Sequence, residues 1–389
     1  MESEFLRPNA LFGLLERHGY SPADLMTAFP YSTEAEIVQR LEDNRLQNRR
    51  QVWRLGHLGI RRCSSRYFNI DDSGSRSLGL DISESSQARH MIHCYGGSTT
   101  LCSNVADWET WPSYLQGILD KTKTAHFKVA NWGAGNLTSL QSSARLLVNC
   151  LEGRVPDTAV FYGGMNDCFY GWGDVDGVNL FLDRCLEASQ HSSGVAMTVG
   201  EIADLVPRRD VDDPLRRSRA MPSQEEVGEV SLSVRRVRAI ARQIQVACAE
   251  NWGFRIVRFW EPTPFAHTRA SQDLVPRIRQ SNHRLTLTAE VHRHLKTGAG
   301  IDGLSEDLVD LSDIGQEELD GPLWIDEMHA SPILNRLIAR AVFCSLSDRS
   351  KKQIRRSLIP RLRRAKQQRS KLSVEFEQQD PESNLYPLW

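Results

Sequence analysis

The sequence predicts an α/β fold in which a central parallel sheet lies between two layers of helices, a three-layer α/β/α sandwich. Four short apolar segments are rich in Val, Ile and aromatic residues and lack strict polar alternation, as strands buried on both faces do. These segments are residues 88–97, 125–133, 157–164 and 254–263. Between them, residues 136–151 and 228–252 space their apolar positions by three and four, as amphipathic helices that cover a sheet do.

The length and composition favour one large core with extensions. The chain has 389 residues, of which 40% are hydrophobic, as in ordinary globular proteins. We expect the core at residues 88–345, with residues 1–87 as a helical lead and accessory segment and residues 346–389 as a flexible tail. Residues 206–229 combine dense mixed charge with three prolines, so they predict a loop-like insertion in the core.

The tail is strongly basic although the whole chain is nearly neutral. The formal net charge is −1, and residues 349–371 carry eleven Lys and Arg and no acid, so the remainder sums to −1 − 11 = −12. One interpretation is a solvated or domain-hugging extension, and the other is a contact patch for nucleic acid or an anionic membrane. Pro360 in the middle and the scarcity of large apolar residues favour the first interpretation.

No part of the sequence predicts a membrane span or a disulfide framework. Apolar runs of the roughly 18 residues that a spanning helix needs are absent, and acids precede the first base at the start, unlike a secretory signal. We therefore expect a cytoplasmic protein. The eight cysteines are scattered singly, without zinc-site spacing, and we expect them to be reduced.

Two pairs of histidines have the close spacing of metal ligands. His90 and His93 flank an apolar segment and lack the glutamate of a zinc-binding helix. His292 and His294 have no Cys or carboxylate at ligand spacing. A structural role is favoured for all four, and we predict neither a metal nor another cofactor.

The stretch HCYGGSTT, residues 93–100, places small residues directly after the first predicted strand. Two glycines let the chain turn tightly, so Ser98 can expose its hydroxyl and still offer its own N–H to a bound oxygen. Ser98 is therefore a candidate nucleophile. The alternative is a turn that caps the next helix, with Ser98 or Thr99 as N-cap, and the stretch taken by itself favours this alternative.

Three further blocks shift the balance toward chemistry. Residues 131–139 follow the second predicted strand with glycines whose N–H groups can approach a ligand. Residues 163–167 follow the third with Asn166, whose carboxamide can donate to a developing oxyanion. Near the end, Asp326 precedes His329 by three residues, a spacing at which a carboxylate can orient an imidazole that accepts the serine proton.

In this order, the four blocks resemble the SGNH hydrolase family, also called the GDSL esterase/lipase family, in its branch with Gly-Gly-Ser-Thr-Thr in the first block. The resemblance spans roughly residues 88–345 and implies a flavodoxin-like fold. The site residues that it implies are Ser98 as nucleophile and first oxyanion donor, Gly135 or Asn136 as a backbone donor, Asn166 as the third donor, and Asp326 and His329 as the rest of a triad.

The chain departs from the family pattern at two positions. Asn136 stands where the family commonly has Gly, although Asn tolerates a left-handed conformation and a backbone donor is kept. Leu334 stands where a Gly often follows the histidine. Upstream, residues 67–76 look like the Asn/Asp-x-x-Gly-x-Arg stretch that often precedes this branch.

The implied activity is acyl transfer from a small-molecule or glycan ester through an acyl-enzyme on Ser98. Water as acceptor makes the protein an esterase, and a hydroxyl acceptor makes it an O-acyltransferase. Four aromatic residues are predicted either to line the substrate or to pack in the core: Trp132, Phe169, Tyr170 and Trp172. A catalytically silent binding module on the same fold is the non-enzyme alternative, and it ranks lower because every side chain of the constellation is present.

Overall fold

The computed structural model describes residues 29, 32–48, 51–54, 57–60, 62–80, 90–121, 127–170, 221–264, 267, 283–297, 308–315, 323–325 and 328–347. The predictions for the basic tail, Trp172 and Asp326 lie outside the described residues. The chain forms two compact units, Met1–Ala339 and Arg340–Trp389. Of the second unit, the structure describes residues 340–347, and residues 340–346 are helical.

The fold is built on a central sheet of five parallel strands. A short antiparallel hairpin, β1 (Gln51–Arg54) and β2 (His57–Ile60), precedes them. The strands of the sheet are β3 (His90–Gly96), β4 (Phe127–Asn131), β5 (Thr158–Gly163), β6 (Arg255–Trp260) and β7 (Leu308–Asp310). Their order is β4-β3-β5-β6-β7, as in doubly wound α/β folds. The predicted α/β class with a parallel sheet is confirmed, and β7 adds a strand that the sequence analysis did not predict.

The strand order places the end of β3 where the winding of the chain reverses. Strand β3 pairs with β4 on one side and with β5 on the other. In open α/β sheets, the crevice at the carboxyl ends of strands at such a reversal is where ligands bind. Gly97 and Ser98 follow β3 at this position.

Helices flank both faces of the sheet. They are α1 (Glu34–Asn48), α2 (Ser98–Leu101), α3 (Trp111–Asp120), α4 (Ser139–Leu151), α5 (Met165–Tyr170), α6 (Gln224–Trp252), α7 (His283–Thr297) and α8 (Pro332–Leu346). Phe161 of β5 clusters with Leu146 of α4 and Cys248 of α6, whereas the next residue, Tyr162, lies against Trp111 of α3. Successive side chains of β5 thus reach opposite helical layers. Among the described helices, none is long and apolar enough to cross a membrane.

Helix α6 begins within the segment predicted as a loop-like insertion, residues 206–229. The Ser223 hydroxyl accepts the N–H of Glu226 (3.1 Å), and the Glu226 carboxylate accepts the N–H of Ser223 (3.3 Å). This reciprocal pair is a capping box, which defines a helix start. Residues 224–229 are therefore helical rather than loop, and the prediction for residues 206–220 falls outside the described residues.

Residues 62–80, from the predicted accessory segment, pack into the core at the carboxyl edge of the sheet. Phe68 is buried in a cluster with Leu101 of α2. Arg76 donates its backbone N–H to the carbonyl of Asn131, the last residue of β4 (2.9 Å). The segment therefore meets both the second strand and the helix that carries Ser98.

The close approach of the β4–α4 loop to α2 generates a stability prediction. A Cβ on Gly133 would lie 2.2 Å from the Leu101 nitrogen and 2.7 Å from the Thr100 carbonyl carbon, which are backbone atoms without room to move. We expect Gly133→Ala to lower the free energy of unfolding by about 1–3 kcal/mol through overpacking. Urea unfolding measures this change.

The matched control is Gly117→Ala, because Gly117 lies in α3 with nothing within 4 Å of the added Cβ. This variant should gain about 0.5–1 kcal/mol, since Ala is the better helix former. Equal unfolding midpoints for the two variants would contradict the close approach.

Candidate active site

Ser98 opens helix α2 directly after strand β3. Gly97 is the N-cap, with an extended backbone (φ −78°, ψ −155°) and no side-chain cap bond. Ser98 and Thr99 therefore lie inside the helix, and neither is the N-cap that the alternative interpretation of the stretch requires. The Ser98 residue is 9% exposed.

Gly96 and Gly97 have no room for a side chain. A Cβ on Gly96 would lie 2.2 Å from both the Tyr162 carbonyl oxygen and the Thr100 Oγ1. A Cβ on Gly97 would lie 2.3 Å from Nδ2 of Asn166. The first contact brings α2 against the end of β5, and the second brings a carboxamide against the residue that precedes the candidate nucleophile.

Asn166 lies in the first turn of α5 and is buried. Its Nδ2 donates to the Leu137 carbonyl of the second block (2.9 Å). A carboxamide nitrogen carries two hydrogens. One of these hydrogens orients the side chain through the bond to Leu137. The second can be donated to another oxygen atom.

The turn that carries this carboxamide is held by the end of β6. The Met165 N–H donates to Oε1 of Glu261 (2.6 Å), and Gly164, at φ 145°, lies against the ring of Trp260. Trp260 in turn donates its Nε1–H to Nε2 of His292 (2.6 Å). Burial raises the pKa of Glu261 above its ordinary value and lowers the pKa of His292 to about 3, so His292 is a neutral acceptor.

Asp167 joins the third block to the second. Its Oδ1 accepts the N–H (2.8 Å) and the hydroxyl (3.0 Å) of Ser139, the first residue of α4. Its Oδ2 pairs with Nη1 of Arg238 on α6 (2.8 Å), and the Asp167 side chain is buried while that of Arg238 is 12% exposed. Helices α4, α5 and α6 therefore meet at one carboxylate.

The second block, residues 132–138, runs beside α2. The Ala134 N–H donates to the carbonyl of Gly96 (3.2 Å). Asn136 adopts the left-handed conformation, with φ 61°, which matches the expectation that Asn can take the usual position of Gly there. Gly135 is buried and Asn136 is exposed. Because Ala134 bonds to Gly96, the backbone of this loop lies at the same edge of the sheet as Gly97 and Ser98.

His329 lies just before α8 and is half-buried. Its carbonyl accepts the N–H of Ile325 (2.9 Å), and Trp324 and Ala330 form an antiparallel bridge. Trp324 and Ile325 are thus paired with Ala330 and His329. Asp326 falls outside the described residues, so its pairing with His329 stays a prediction.

Asn335 of α8 contacts the end of helix α2, which carries Ser98. It is fully buried, and its Nδ2 donates to the Glu109 carbonyl (3.1 Å) while its Oδ1 accepts from the Cys102 thiol (3.8 Å). Cys102 is the C-cap of α2, in a left-handed conformation. One carboxamide therefore joins the elements that carry Ser98 and His329.

A small, partly open cavity of about 30 Å³ adjoins the first and third blocks. Its lining includes Gly97, Leu137 and Asn166 together with Arg238 and Glu261. Of the site residues that the sequence predicts, Asn166 borders this cavity, whereas Ser98, Gly135, Asn136 and His329 are not among its lining residues.

The aromatic residues predicted near the substrate have different positions. Trp132 is 3% exposed and packs with Tyr95 in the core between the sheet and α4. Of the two alternatives predicted for Trp132, this position corresponds to packing in the core, and its N–H donates to the Cys94 carbonyl of β3 (2.8 Å) just after β4 ends. Phe169 is half-buried against the start of α5. The side chain of Tyr170 and all of Trp172 lie outside the described residues.

The histidines weighed as metal ligands make protein contacts. The His90 Nε2 lies 3.1 Å from the Thr158 hydroxyl, and the His93 Nδ1 lies 3.1 Å from the Tyr95 hydroxyl. Burial lowers the pKa of His93 to about 4, so the ring is neutral at physiological pH. In the part of the chain that the structure describes, no group of three His, Cys, Asp or Glu residues could hold a metal ion.

The sequence analysis missed the charged side chains that brace the site. Glu261 lies near the end of the fourth predicted strand and directly follows β6, and a polar residue at that position points to the carboxyl edge, so strand position could have identified it. Arg238 lies on a helix with several other arginines, and nothing in the pattern distinguishes it. Asp167 entered the sequence analysis only as the last residue of the 163–167 block that contains Asn166.

Comparison with known proteins gives structural likenesses only. No protein-family model matches the sequence, and no curated protein does. Among solved structures, an acetyl xylan esterase, AlAXEase, is 14% identical at a TM-score of 0.33, over 66% of this chain and 98% of its own. A carbohydrate acetylesterase family member from Sinorhizobium meliloti is 14% identical at a TM-score of 0.28, over 66% of this chain and 97% of its own.

A third solved structure is a catalytic mutant of Axe2, an acetylxylan esterase from Geobacillus stearothermophilus. It is 12% identical at a TM-score of 0.31, over 68% of this chain and 96% of its own. At TM-scores below 0.5, these likenesses do not assign an activity to this chain. The functional argument therefore rests on the residues of the chain itself.

The carboxylate that joins three helices provides a second stability prediction. Asp167→Ala removes the acceptor of the Ser139 N–H and leaves the guanidinium of Arg238 unpaired, so we expect a loss of about 3–5 kcal/mol in urea unfolding. Asp167→Asn keeps an acceptor oxygen and should lose less. The double variant Asp167→Ala/Arg238→Met should regain part of the loss, whereas strictly additive losses would show that the two side chains are not coupled.

Proposed function

We propose that this protein is a serine esterase of the SGNH type, which cleaves an ester through an acyl-enzyme on Ser98. In this proposal Asn166 donates to the oxyanion, and His329 is the general base, oriented by Asp326. One structural observation carries the proposal beyond the sequence motifs. It is the contact of the Asn166 carboxamide with Gly97.

That contact supports the proposed oxyanion site. Gly97 directly precedes Ser98, so the Asn166 Nδ2 lies beside the residue whose successor would supply the backbone donor. Two preorganised donors that converge beside a hydroxyl stabilise the negative charge of a tetrahedral intermediate.

The proposed reaction has two steps. His329 takes the proton of the Ser98 hydroxyl while Oγ attacks the ester carbonyl carbon, and the carbonyl electron pair moves onto the oxygen held by the donors. The oxyanion then collapses, the bond to the alcohol oxygen breaks, and the proton passes from His329 to that leaving oxygen. An acceptor repeats these steps on the acyl-enzyme and regenerates Ser98.

The acceptor decides whether the protein is a hydrolase or a transferase. Water releases a free acid, and an acceptor hydroxyl forms a new ester, while the chemistry at Ser98 is the same. We propose hydrolysis of a small-molecule or glycan ester. Product analysis with aryl acetates and peracetylated sugars, with and without added sugar alcohols, distinguishes the two products.

Replacement of the nucleophile tests the proposal directly. The native chain should react with a fluorophosphonate probe and hydrolyse a short-chain aryl ester, and Ser98→Ala should do neither, because the proposed nucleophile is then missing. In-gel fluorescence and intact mass measure the labelling. A folded native chain that neither labels nor hydrolyses any ester in the panel would contradict the proposal.

Removal of the side-chain oxyanion donor gives a graded test. We expect Asn166→Ala to lower kcat by about 100- to 1,000-fold with little change in KM, because the lost hydrogen bond acts on the transition state. Asn149→Ala is the matched control, since Asn149 is also buried but donates to the Tyr95 hydroxyl within the core. Equal kcat values for the two folded variants would remove Asn166 from the oxyanion hole.

A further inference from the structure

The guanidinium group of Arg76 is buried against the end of helix α2. Its side chain is 0% exposed. Nε donates to Oδ1 of Asp107 (2.8 Å), and Nη2 donates to the Val105 carbonyl (2.6 Å). Nη1 donates to the carbonyls of Leu101 and Cys102. Three of the four acceptors are therefore backbone carbonyls at and after the end of α2.

Two of those carbonyls, on the last residue and the C-cap, close a helix that is too short to be stable by itself. Helix α2 has four residues, whereas isolated helices are marginal below about 12–15 residues. The last carbonyls of a helix have no partner within it, and a cation at this end is favourable. Arg76 supplies this cap from a distant segment of the chain.

Ser98 lies at the other end of the same helical turn. At a rise of about 1.5 Å per residue, Ser98 and Leu101 are separated by about 4.5 Å along the helix axis. The Cys102 N–H also donates to the Ser98 carbonyl (2.7 Å). A shift of the Leu101 and Cys102 carbonyls would therefore move the Ser98 backbone with them.

Arg76 is itself fixed by three kinds of contact. Its backbone N–H donates to the Asn131 carbonyl (2.9 Å). Its guanidinium carbon lies 4.2 Å from the centre of the Phe68 ring, within the range of a cation–π contact. Its partner Asp107 is held by Asn69, whose Nδ2 donates to Oδ2 (2.8 Å). The donors that face α2 are thus preorganised.

Asn131 reinforces the same arrangement from the end of β4. Its Nδ2 donates to the Thr100 carbonyl (3.0 Å), and its Oδ1 accepts the N–H of Gly133 (3.0 Å). Together with Arg76, it gives outside partners to three consecutive carbonyls of the helix, those of Thr100, Leu101 and Cys102. The nucleophile helix is therefore held by its carbonyls on the side away from Ser98.

We propose that Arg76 is a positioning residue for Ser98: it holds α2 so that the serine hydroxyl and N–H keep the orientation that acyl transfer requires. This inference rests on the proposed function and adds residues 62–80 to the active site. Those residues precede every motif in the core. Among them, Arg76 is the buried cation that caps the end of α2.

The test compares four full-length chains: native, Arg76→Ala, Arg76→Lys and Arg40→Ala. Arg40 is the matched control because it is similarly buried, and its Nη1 pairs with both carboxylate oxygens of Glu109, outside α2 (2.8 and 3.0 Å). Fluorophosphonate labelling and aryl-ester hydrolysis are measured at a temperature where circular dichroism shows every chain folded.

We expect Arg76→Ala to lower kcat and the labelling rate by about 100-fold with KM unchanged, because a small displacement of a reacting group costs about that much. Arg76→Lys should show a smaller fall, since an ammonium keeps the charge but lacks the planar fork. Methylguanidinium at low concentration should restore labelling in Arg76→Ala and should not change Arg40→Ala, which keeps the native rate.

Native rates in folded Arg76→Ala, or an equal loss in Arg40→Ala, would overturn the inference. If Arg76→Ala does not fold, Arg76→Lys decides: a reduced kcat at native KM supports the inference, and a native kcat overturns it. The native chain separates the two proposals. If it is folded but neither labels nor hydrolyses an ester, the proposed function fails and the role of Arg76 fails with it.

Discussion

The absence of a side chain at Gly96 is the constraint on which the carboxyl edge of the sheet depends. It lets α2 lie directly against the end of β5, where the Thr100 hydroxyl donates to the Tyr162 carbonyl (3.3 Å). Gly133 permits an equally close approach from the β4 side. A four-residue helix is thus enclosed by the ends of two strands at the reversal of the winding, and no larger residue fits at either position without moving it.

Buried charges then fix the loops that surround this helix. The Arg76–Asp107 pair is almost completely withdrawn from water, and the Arg238–Asp167 pair is largely so. Such pairs add little net stability because desolvation offsets their attraction. Their larger effect is orientation, since each charged group has several donors or acceptors with fixed directions. The loops around the site are therefore held in place by planar guanidinium groups and by carboxylates.

The sequence predicts the parts of this arrangement that repeat a simple pattern. Strands buried on both faces appear as continuous apolar runs, and Ser98 and Asn166 stand out because small residues follow those runs. Strand β7 has three residues and leaves no such signal. Trp132 kept two alternatives because an aromatic residue after a strand can either pack in the core or line a site. Arg76 gave no signal because three of its four acceptors are backbone carbonyls, which any sequence provides.

The long separation of paired segments also sets the order in which this protein can fold. Thr158 of β5 pairs with Arg255 of β6 across 255 − 158 = 97 residues, and parallel pairing at such distances closes slowly. Ser98 and His329 are 329 − 98 = 231 residues apart. A chain that emerges from the ribosome therefore exposes the segment of its proposed nucleophile well before that of its proposed base. The proposed activity should be absent from a nascent chain until the segment that carries His329 has been synthesised.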